Sequence, residues 1–222
     1  MKFLKDIKDW KECVNKVVCG DCLAGMKLIP DKSVDLVLTD PPYGIGLAEG
    51  FSGAEGFSKP IARRQYEGDW DKTIPSTEVF NEIMRVSKNQ IIFGGNFFAN
   101  ILPQNNHWLV WDKLNTMPTF SDCELIYTSF DRNSVKKYTH NNNGLMATNK
   151  DIRVHPTQKP SDLIKRILED YGADANFVLD PFMGSWTTAR ACKDLGRNFI
   201  GFEISEKYCK IGEERLRQQN LF

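Results

Sequence analysis

The sequence predicts an α/β protein built on an open, mostly parallel β-sheet. The first observation is a series of short apolar runs typical of buried parallel strands, at residues 16–19, 34–39, 90–93, 108–111, 124–128, 177–179 and 199–202. The second is that amphipathic helical stretches lie between these runs. The third is that polar motifs directly follow strands, where open α/β sheets bind their ligands.

The composition is that of an ordinary globular protein. The chain has 222 residues, 41% of them hydrophobic, which suits one domain with a sizeable core. Lys and Arg number 29 and Asp and Glu 29, so a highly basic, histone-like binder is excluded. The longest apolar runs are too short to span a bilayer, and the charged N-terminus lacks the apolar core of a signal peptide. We therefore expect a cytoplasmic protein.

The helices are predicted from their periodicity. Residues 77–86 and 161–171 each place four apolar side chains on one face. Residues 205–219 form a charged terminal helix that Ser205 can cap. Two other segments look irregular or basic. Residues 43–73 are rich in Gly and polar residues, and residues 131–166 carry eight Lys and Arg against three Asp. A phosphate-facing surface and a solvated face both explain the basic segment.

The motif TDPPYG, residues 39–44, directly follows an apolar strand. A strand-ending turn accounts for these residue types, because Asp, Pro and Gly are common in turns. The arrangement also suits a planar amine. The Asp40 carboxylate and the Pro41 carbonyl can accept hydrogen bonds from an NH2 group, and neither proline has an N–H to compete. Tyr43 can stack on the ring that carries the amine, which contributes about 1–3 kcal/mol per base.

The motif DPFMGSWTTA, residues 180–189, follows another strand and opens a helix. Gly184 permits close approach of the backbone to a ligand, and the hydroxyls of Ser185, Thr187 and Thr188 supply donors at the helix start. Glu203 stands after the next strand, where an acid suits ribose hydroxyls. The order of turn, helix, strand and acid therefore favours a nucleotide-like ligand.

Two further patterns are less informative by themselves. HPTQKP, residues 155–160, reads as a rigid, extended lead-in to the helix at 161–171, and composition alone assigns it no ligand. Cys19 and Cys22 form a C-x-x-C, which is compatible with a redox pair or half a zinc site. The sequence has no second such pair and its three histidines are widely spread. We prefer strand-end residues and predict no metal.

Taken together, TDPPYG, HPTQKP and DPFMGS with TTA resemble, in this order, the beta-class S-adenosylmethionine-dependent DNA amino-methyltransferases. The resemblance runs from about Val17 to Arg215. It implies a Rossmann-like fold with seven strands and helices on both faces, permuted so that the catalytic half comes first and the cofactor loop lies near the C-terminus. It also implies a single methyltransferase domain over residues 1–222, with a target-recognition insertion at about 112–153 and a mobile loop at about 44–73.

The resemblance further implies roles for individual residues. The catalytic residues, which hold a flipped-out base, are Asp40, Pro41, Pro42 and Tyr43. The residues implied for S-adenosylmethionine are Asp21, His155, Thr157, Lys159, Asp180, Phe182, Gly184, Ser185, Thr187, Thr188 and Glu203. Among them, Asp21 is placed near the adenine amine, Glu203 at the ribose and residues 155–160 at the methionine end. DNA contacts are predicted for Arg63, Arg64, Lys136 and Lys137.

The implied reaction is methyl transfer to N6 of adenine in duplex DNA at a short recognition site. Hydrogen bonds from the amine to Asp40 and Pro41 would direct the nitrogen lone pair toward the sulfonium methyl. The target base must first leave the stack, at a cost of a few kcal/mol. Asp in the first position of the catalytic motif usually marks N6-adenine enzymes of this family, and Ser is more typical of N4-cytosine enzymes. We predict adenine, with N4 of cytosine as the alternative.

One position departs from the family pattern. Trp186 stands where the cofactor loop normally carries a second glycine. A positive φ there would cost a non-glycine residue about 1–2 kcal/mol. Our hypothesis is that Trp186 weakens cofactor binding and occupies the cofactor site, giving an impaired variant. The alternative is that the indole points into the helix packing and has little effect.

Other functions and partners are weighed against this prediction. A catalytically silent DNA-binding protein is the second hypothesis, and Trp186 is its only support. Methylation of protein or RNA amides by a similar motif is the third, but those relatives usually carry Asn where this chain has Asp40. The expected partners are double-stranded DNA, a second copy of the chain in a homodimer, and a cognate restriction endonuclease. No membrane partner is expected.

Overall fold

The computed structural model describes residues 1–45, 71–114, 121–141 and 158–218. Nine strands in these ranges form one sheet in the order β1-β2-β9-β8-β3-β4-β6-β5-β7. They are β1 (Lys2–Phe3), β2 (Val18–Cys19), β3 (Val34–Thr39), β4 (Ser87–Phe93), β5 (Trp108–Asp112), β6 (Cys123–Thr128), β7 (Val135–Thr139), β8 (Phe177–Asp180) and β9 (Asn198–Glu203). Neighbouring strands run parallel, except that β6 is antiparallel to both β4 and β5.

The predicted α/β class is confirmed, and the strand count differs. All seven predicted runs are strands, and β1 and β7 extend the sheet at its two edges. β7 has the sequence VKKYT, in which only Tyr138 is buried. Because an edge strand buries few side chains, it does not need the apolar run that marks the central strands.

Five α-helices in the described ranges accompany the sheet. They are α1 (Cys22–Met26), α2 (Thr77–Val86), α3 (Ser161–Tyr171), α4 (Thr187–Asp194) and α5 (Glu206–Arg217). The bounds of α2 and α3 are those that the periodicity predicts. α5 follows Ser205, but the side chain of Ser205 makes no capping hydrogen bond. Within the described ranges, none of the helices combines the length and hydrophobicity that crossing a bilayer requires.

The helices cover both faces of the sheet. On one face, Leu36 and Leu38 of β3 belong to a core cluster that includes Ile167 of α3 and extends to α4 and α5. On the other face, Val37 of β3 packs in a second cluster with Ile83 of α2. This alternation along β3 follows from the two-residue period of a strand and buries both faces of its parallel sheet.

The centre of the sheet contains a topological switch point. β3 lies between β4 and β8. The chain leaves β3 for β4 on one side, and it leaves β8 for β9 on the other side. The carboxyl ends of β3 and β8 are therefore adjacent, and a crevice opens between the loops that follow them. The two ends are joined by a buried hydrogen bond of 2.7 Å from Thr39 Oγ1 to Asp180 Oδ1.

Candidate functional site

A cavity of about 570 Å³ opens at this switch point. It is lined by the loops that follow β2, β3, β8 and β9 and by Lys159, which lies just before α3. All nine of the described residues predicted to bind a cofactor line it, namely Asp21, Lys159, Asp180, Phe182, Gly184, Ser185, Thr187, Thr188 and Glu203. Asp40 and Pro42 of the predicted catalytic motif line the same cavity.

The loop after β8 is tied to the end of β9 through Glu203. The backbone N–H of Gly184 donates to Glu203 Oε2 at 2.8 Å, and the N–H of Ser205 donates to Oε1 at 2.8 Å. Gly184 has a φ of +46°, a conformation that glycine adopts without strain. Burial raises the pKa of Glu203, while these backbone donors oppose the shift. One acid thus holds two cavity-lining loops together.

Asp21, in the loop after β2, lines the cavity next to the end of β9. It is the N-cap of α1, and its Oδ1 accepts a hydrogen bond of 2.8 Å from the N–H of Ala24. The cysteines of the C-x-x-C flank it: Cys19 ends β2, and Cys22 begins α1. The strand-end interpretation of this pair therefore describes Cys19, whereas Cys22 belongs to a helix.

The lining fits S-adenosylmethionine in its chemistry. Asp21 and Glu203 are acids that can accept hydrogen bonds from an amine or from ribose hydroxyls. Phe182, Ile204 and Tyr208 supply apolar surface for a purine. The hydroxyl-bearing start of α4 can donate to a carboxylate. The cavity therefore combines apolar walls with polar groups, which is typical of a cofactor site.

Asp180 is a buried acid beneath this cavity. Its Oδ1 accepts from Thr39 Oγ1 at 2.7 Å and from the N–H of Phe182 at 3.0 Å. Burial raises its pKa to about 6 from an ordinary 3.8, with a smaller contribution from Asp40. The folded protein therefore binds this proton more tightly than the unfolded chain does. Native stability consequently falls as the pH rises from about 4 to about 6, and it stays reduced above that range.

Replacing Asp180 by asparagine is therefore expected to stabilise the protein at neutral pH. Asn keeps an acceptor oxygen for Thr39 and Phe182 but cannot ionise. The free energy of unfolding should rise by up to about 3 kcal/mol at about pH 7.5 and should change little at about pH 4. Urea unfolding at both pH values measures this, with the exposed Asp6→Asn as the control. A gain of equal size at both pH values would contradict the assignment of the proton to Asp180.

The predicted catalytic motif follows β3 and is held by a second buried acid. Asp71 accepts from the backbone N–H of Tyr43 at 2.8 Å and from that of Gly44 at 3.1 Å. The Tyr43 hydroxyl lies 2.6 Å from Asp40 Oδ1. Pro41 is buried, and Pro42 reaches the cavity. The motif is thus a fixed turn that presents the Asp40 carboxylate at the cavity wall.

Lys159 and Glu124 complete the polar cluster around Asp40. The Lys159 ammonium lies 2.7 Å from Asp40 Oδ2 and 3.1 Å from Glu124 Oε1. Burial would lower the pKa of Lys159, but the two carboxylates outweigh it and the pKa is raised. Burial raises the pKa of Asp40, with Lys159 opposing the shift. In Glu124, Lys159 and Lys113 together outweigh burial and keep the pKa below its ordinary value.

The aromatic ring of the motif is packed on two sides. Tyr43 stacks on Phe97 with ring centroids 4.7 Å apart and planes 12° apart. Gly94, with a φ of +65°, lies so close that a Cβ there would be 2.3 Å from Tyr43 Cε1. Phe97 itself is 41% exposed. The stacking pair therefore lies at the surface, beside the Asp40 carboxylate.

The structure corrects the predicted placement of Trp186. Its φ is +62°, as the glycine position of the loop suggested, but the indole does not line the cavity. The side chain is fully buried against α5, where a Cβ on Gly212 would lie 2.3 Å from indole Cδ1. The hypothesis that Trp186 occupies the cofactor site is therefore wrong. The alternative, an indole directed into helix packing, describes its position.

Several predicted residues lie outside this cluster. Arg63, Arg64, His155 and Thr157 lie outside the described residues. Lys136 and Lys137 lie on β7 and form ion pairs with Asp170 at 2.7 Å and Asp112 at 3.1 Å. Their DNA-binding role stays a prediction. In the predicted recognition segment, β6 and β7 are strands of the main sheet.

Sequence reasoning missed four residues of the site: Asp71, Phe97, Lys113 and Glu124. Glu124 begins the apolar part of β6, and a charged residue before a buried run is usually solvated. The Glu124 side chain is nevertheless largely buried in the structure. This burial follows from the pairing of β4 with β6, which no local sequence pattern reveals.

Comparison with known proteins shows that the chain is similar to DNA methyltransferases. A family model described as DNA methylase, covering N6 and N4 methyltransferases, matches residues 104–214. The chain is 27% identical to the type II methyltransferase M.HinfI of Haemophilus influenzae, over 92% of this chain and 69% of that protein. The crystal structure of M1.HpyAVI is similar with a TM-score of 0.56 and 23% identity, over 90% of this chain and 98% of that one. The structure of the PvuII DNA methyltransferase, a cytosine-N4-specific enzyme, is similar with a TM-score of 0.58 and 15% identity, over 92% of this chain and 87% of that one.

Proposed function

The chain belongs to the DNA methylase family, and from this premise we propose that it transfers a methyl group from S-adenosylmethionine to N6 of adenine in duplex DNA. Membership establishes a DNA methyltransferase of the N6/N4 type. The adenine target and the roles of individual residues are the proposal. The homodimer and the cognate endonuclease also remain proposals.

One observation carries the proposal: a single cavity is lined both by Asp40 and by the loop from Phe182 to Thr188. Methyl transfer requires the target amine and the methyl donor to meet in one site, because proximity and orientation supply much of the rate. The switch point brings the two motifs together although they lie far apart in the chain. Asp40 is the residue at which a base entering this cavity would meet an acceptor.

The choice of adenine rests on the chemistry and position of Asp40. Its carboxylate supports hydrogen bonds from an exocyclic amine, and Asp at this position resembles the adenine enzymes of the family. The family model covers N6 and N4 transfer together. N4 of cytosine therefore stays as the alternative, since it is also an exocyclic amine on a planar ring.

In the proposed reaction, the residues of this chain bind the target amine, the base and the cofactor. Asp40 and the Pro41 carbonyl accept the two amine hydrogens and stabilise the positive charge that develops on nitrogen. For Tyr43 to stack on the flipped base, which would offset part of the cost of unstacking, Phe97 would have to leave the face of the ring that it covers. Glu203 and Asp21 orient the cofactor through its hydroxyls and amine. S-adenosylmethionine, when bound, supplies the electrophilic methyl group.

The test is transfer of radiolabelled methyl from S-adenosylmethionine to unmethylated duplex DNA, followed by digestion to nucleosides. We expect label in N6-methyladenine and none in RNA or protein offered in parallel. Label in N4-methylcytosine would replace adenine by the alternative. Binding of DNA without transfer of label, even at saturating cofactor, would contradict the proposed function and favour a silent DNA-binding protein.

A further inference from the structure

The polar cluster around Asp40 contains one acid that belongs to none of the three motifs. Glu124, on β6, accepts contacts on both of its oxygens. Oε1 lies 2.6 Å from the Tyr43 hydroxyl and 3.1 Å from Lys159 Nζ, and Oε2 lies 3.1 Å from Lys113 Nζ. The Glu124 side chain is only 10% exposed, against 21% for Asp40, and it does not line the cavity. Glu124 therefore stands behind the catalytic motif.

Two bridges connect Glu124 to Asp40. The Tyr43 hydroxyl is 2.6 Å from one oxygen of each carboxylate, and the Lys159 ammonium is within 3.1 Å of both. A hydroxyl has a single proton, so Tyr43 cannot donate fully to both acids at once. The shared ammonium is what allows two neighbouring carboxylates to stay ionised. The charge on Glu124 is thus felt at Asp40.

Resting on the proposed function, we propose that Glu124 is a positioning residue for methyl transfer, which shares Lys159 with Asp40 and so leaves the Asp40 carboxylate available to the target amine. Without the Glu124 charge, the ammonium would pair with Asp40 alone. A carboxylate held in an unshared ion pair is a weaker acceptor for an incoming amine. Lys113 balances Glu124 from the other side, so the two acids and two lysines carry no net charge.

The same geometry predicts a pH signature. The charged and titratable groups facing Asp40 are Lys159, Glu124 and Tyr43, with Asp180 across the end of β8. Glu124 raises the pKa of Asp40, so removing its charge should lower that pKa. Because Asp40 must be ionised to accept the amine, the acidic limb of the pH–rate profile should move to lower pH. Asp180, with a pKa of about 6, also faces Asp40 but makes no contact with Glu124, so its titration has to be removed to isolate the effect of Glu124.

The experiment compares pH–rate profiles of the whole protein and three variants, using labelled S-adenosylmethionine and duplex DNA. Glu124→Gln keeps the shape and one acceptor oxygen but removes the charge. Its kcat should fall about tenfold, and its acidic limb should move down by about one pH unit. Lys113→Gln removes the balancing charge and should move the limb upward. Glu78→Gln, an exposed acid on α2, is the control and should leave the profile unchanged.

Three further measurements make the outcome decisive. Calorimetry should show the same affinity of Glu124→Gln for S-adenosylmethionine, because Glu124 does not line the cavity. The pH–rate profiles are repeated in the Asp180→Asn background, in which the second carboxyl group near Asp40 cannot ionise. Circular dichroism confirms that each variant is folded, and if Glu124→Gln is not, the upward movement in Lys113→Gln carries the test.

The results separate this inference from the proposed function. A slower Glu124→Gln with an unmoved limb would assign Glu124 a merely structural role and overturn the inference alone. An unmoved limb in Lys113→Gln, where that variant carries the test, would do the same. Failure of the unaltered protein to methylate DNA would overturn the proposed function and this inference with it.

Discussion

Replacement of Asp40 by alanine is expected to lower kcat for methyl transfer by about 10²–10³-fold, while the affinity for S-adenosylmethionine changes by less than about threefold. Asp40 presents the acceptor that meets positive charge on the target nitrogen as the new bond forms. A group aimed at developing charge contributes mainly to the transition state, so its loss lowers kcat rather than cofactor binding. Lys159 keeps Glu124 as a partner in this variant, so the ammonium is not left unpaired.

A graded series makes this expectation sharper. Asp40→Asn retains an acceptor oxygen and loses only the charge, so its kcat should fall less, by about tenfold. Asp174→Ala removes an exposed acid that precedes β8, at the end of the strand away from the cavity, and is the matched control, expected to behave as the unaltered protein. Initial rates at saturating cofactor and DNA, with calorimetric titration of the cofactor, measure the series. Asp40→Ala activity above a tenth of the unaltered rate would contradict a catalytic role for Asp40.

The central part of the fold could be predicted because its strands obey a local rule. β3 is flanked on both sides by strands and covered on both faces by helices, so five of the six residues of its sequence VDLVLT are buried and four are apolar. α2 and α3 lie on the sheet and carry a clear apolar stripe, which fixes their bounds in the sequence. β7 escapes such a rule, since an edge strand buries only Tyr138 and can be rich in lysine.

The cavity could be predicted for a related reason. Asp40, Gly184 and Glu203 each stand where a strand ends, and the carboxyl ends of parallel strands meet at one edge of the sheet. The members that support them could not be found this way. Glu124 comes from the antiparallel strand β6, and Asp71 comes from a loop. Their relation to Tyr43 is set by tertiary packing, which leaves no period or motif in the sequence.

The orientation of Trp186 is the clearest case of this limit. The loop predicts the positive φ, because a glycine is usual there, and the structure has that φ. Where the indole goes depends on Gly212 of α5, whose missing side chain makes room for it. Arg215 of the same helix donates to the carbonyl of Ser185, next to Trp186 in the loop. Helix α5 thus holds the loop in place from behind the cavity.

Replacement of Trp186 by alanine is therefore expected to affect stability much more than the shape of the cofactor cavity. The indole is fully buried, and deleting a buried Trp side chain typically lowers the free energy of unfolding by about 3–5 kcal/mol. Trp186→Gly should lose about 1 kcal/mol less, because glycine adopts the φ of +62° without strain. Urea unfolding of both variants measures the difference. Equal losses of stability would contradict the inference that a non-glycine residue is strained at this φ.

Trp186→Phe separates packing from the polar cost of the indole. The indole Nε1 has no hydrogen-bond partner among the described residues, and a buried unsatisfied donor costs about 1–3 kcal/mol. Phenylalanine fills much of the space beside Gly212 and removes that donor, so its loss of stability should be the smallest of the three. Because the indole faces α5, the affinity of Trp186→Phe for S-adenosylmethionine should stay within about threefold of the unaltered protein. A large gain in affinity would instead revive the blocked-site hypothesis, since only an indole that obstructs the cofactor can be relieved by its removal.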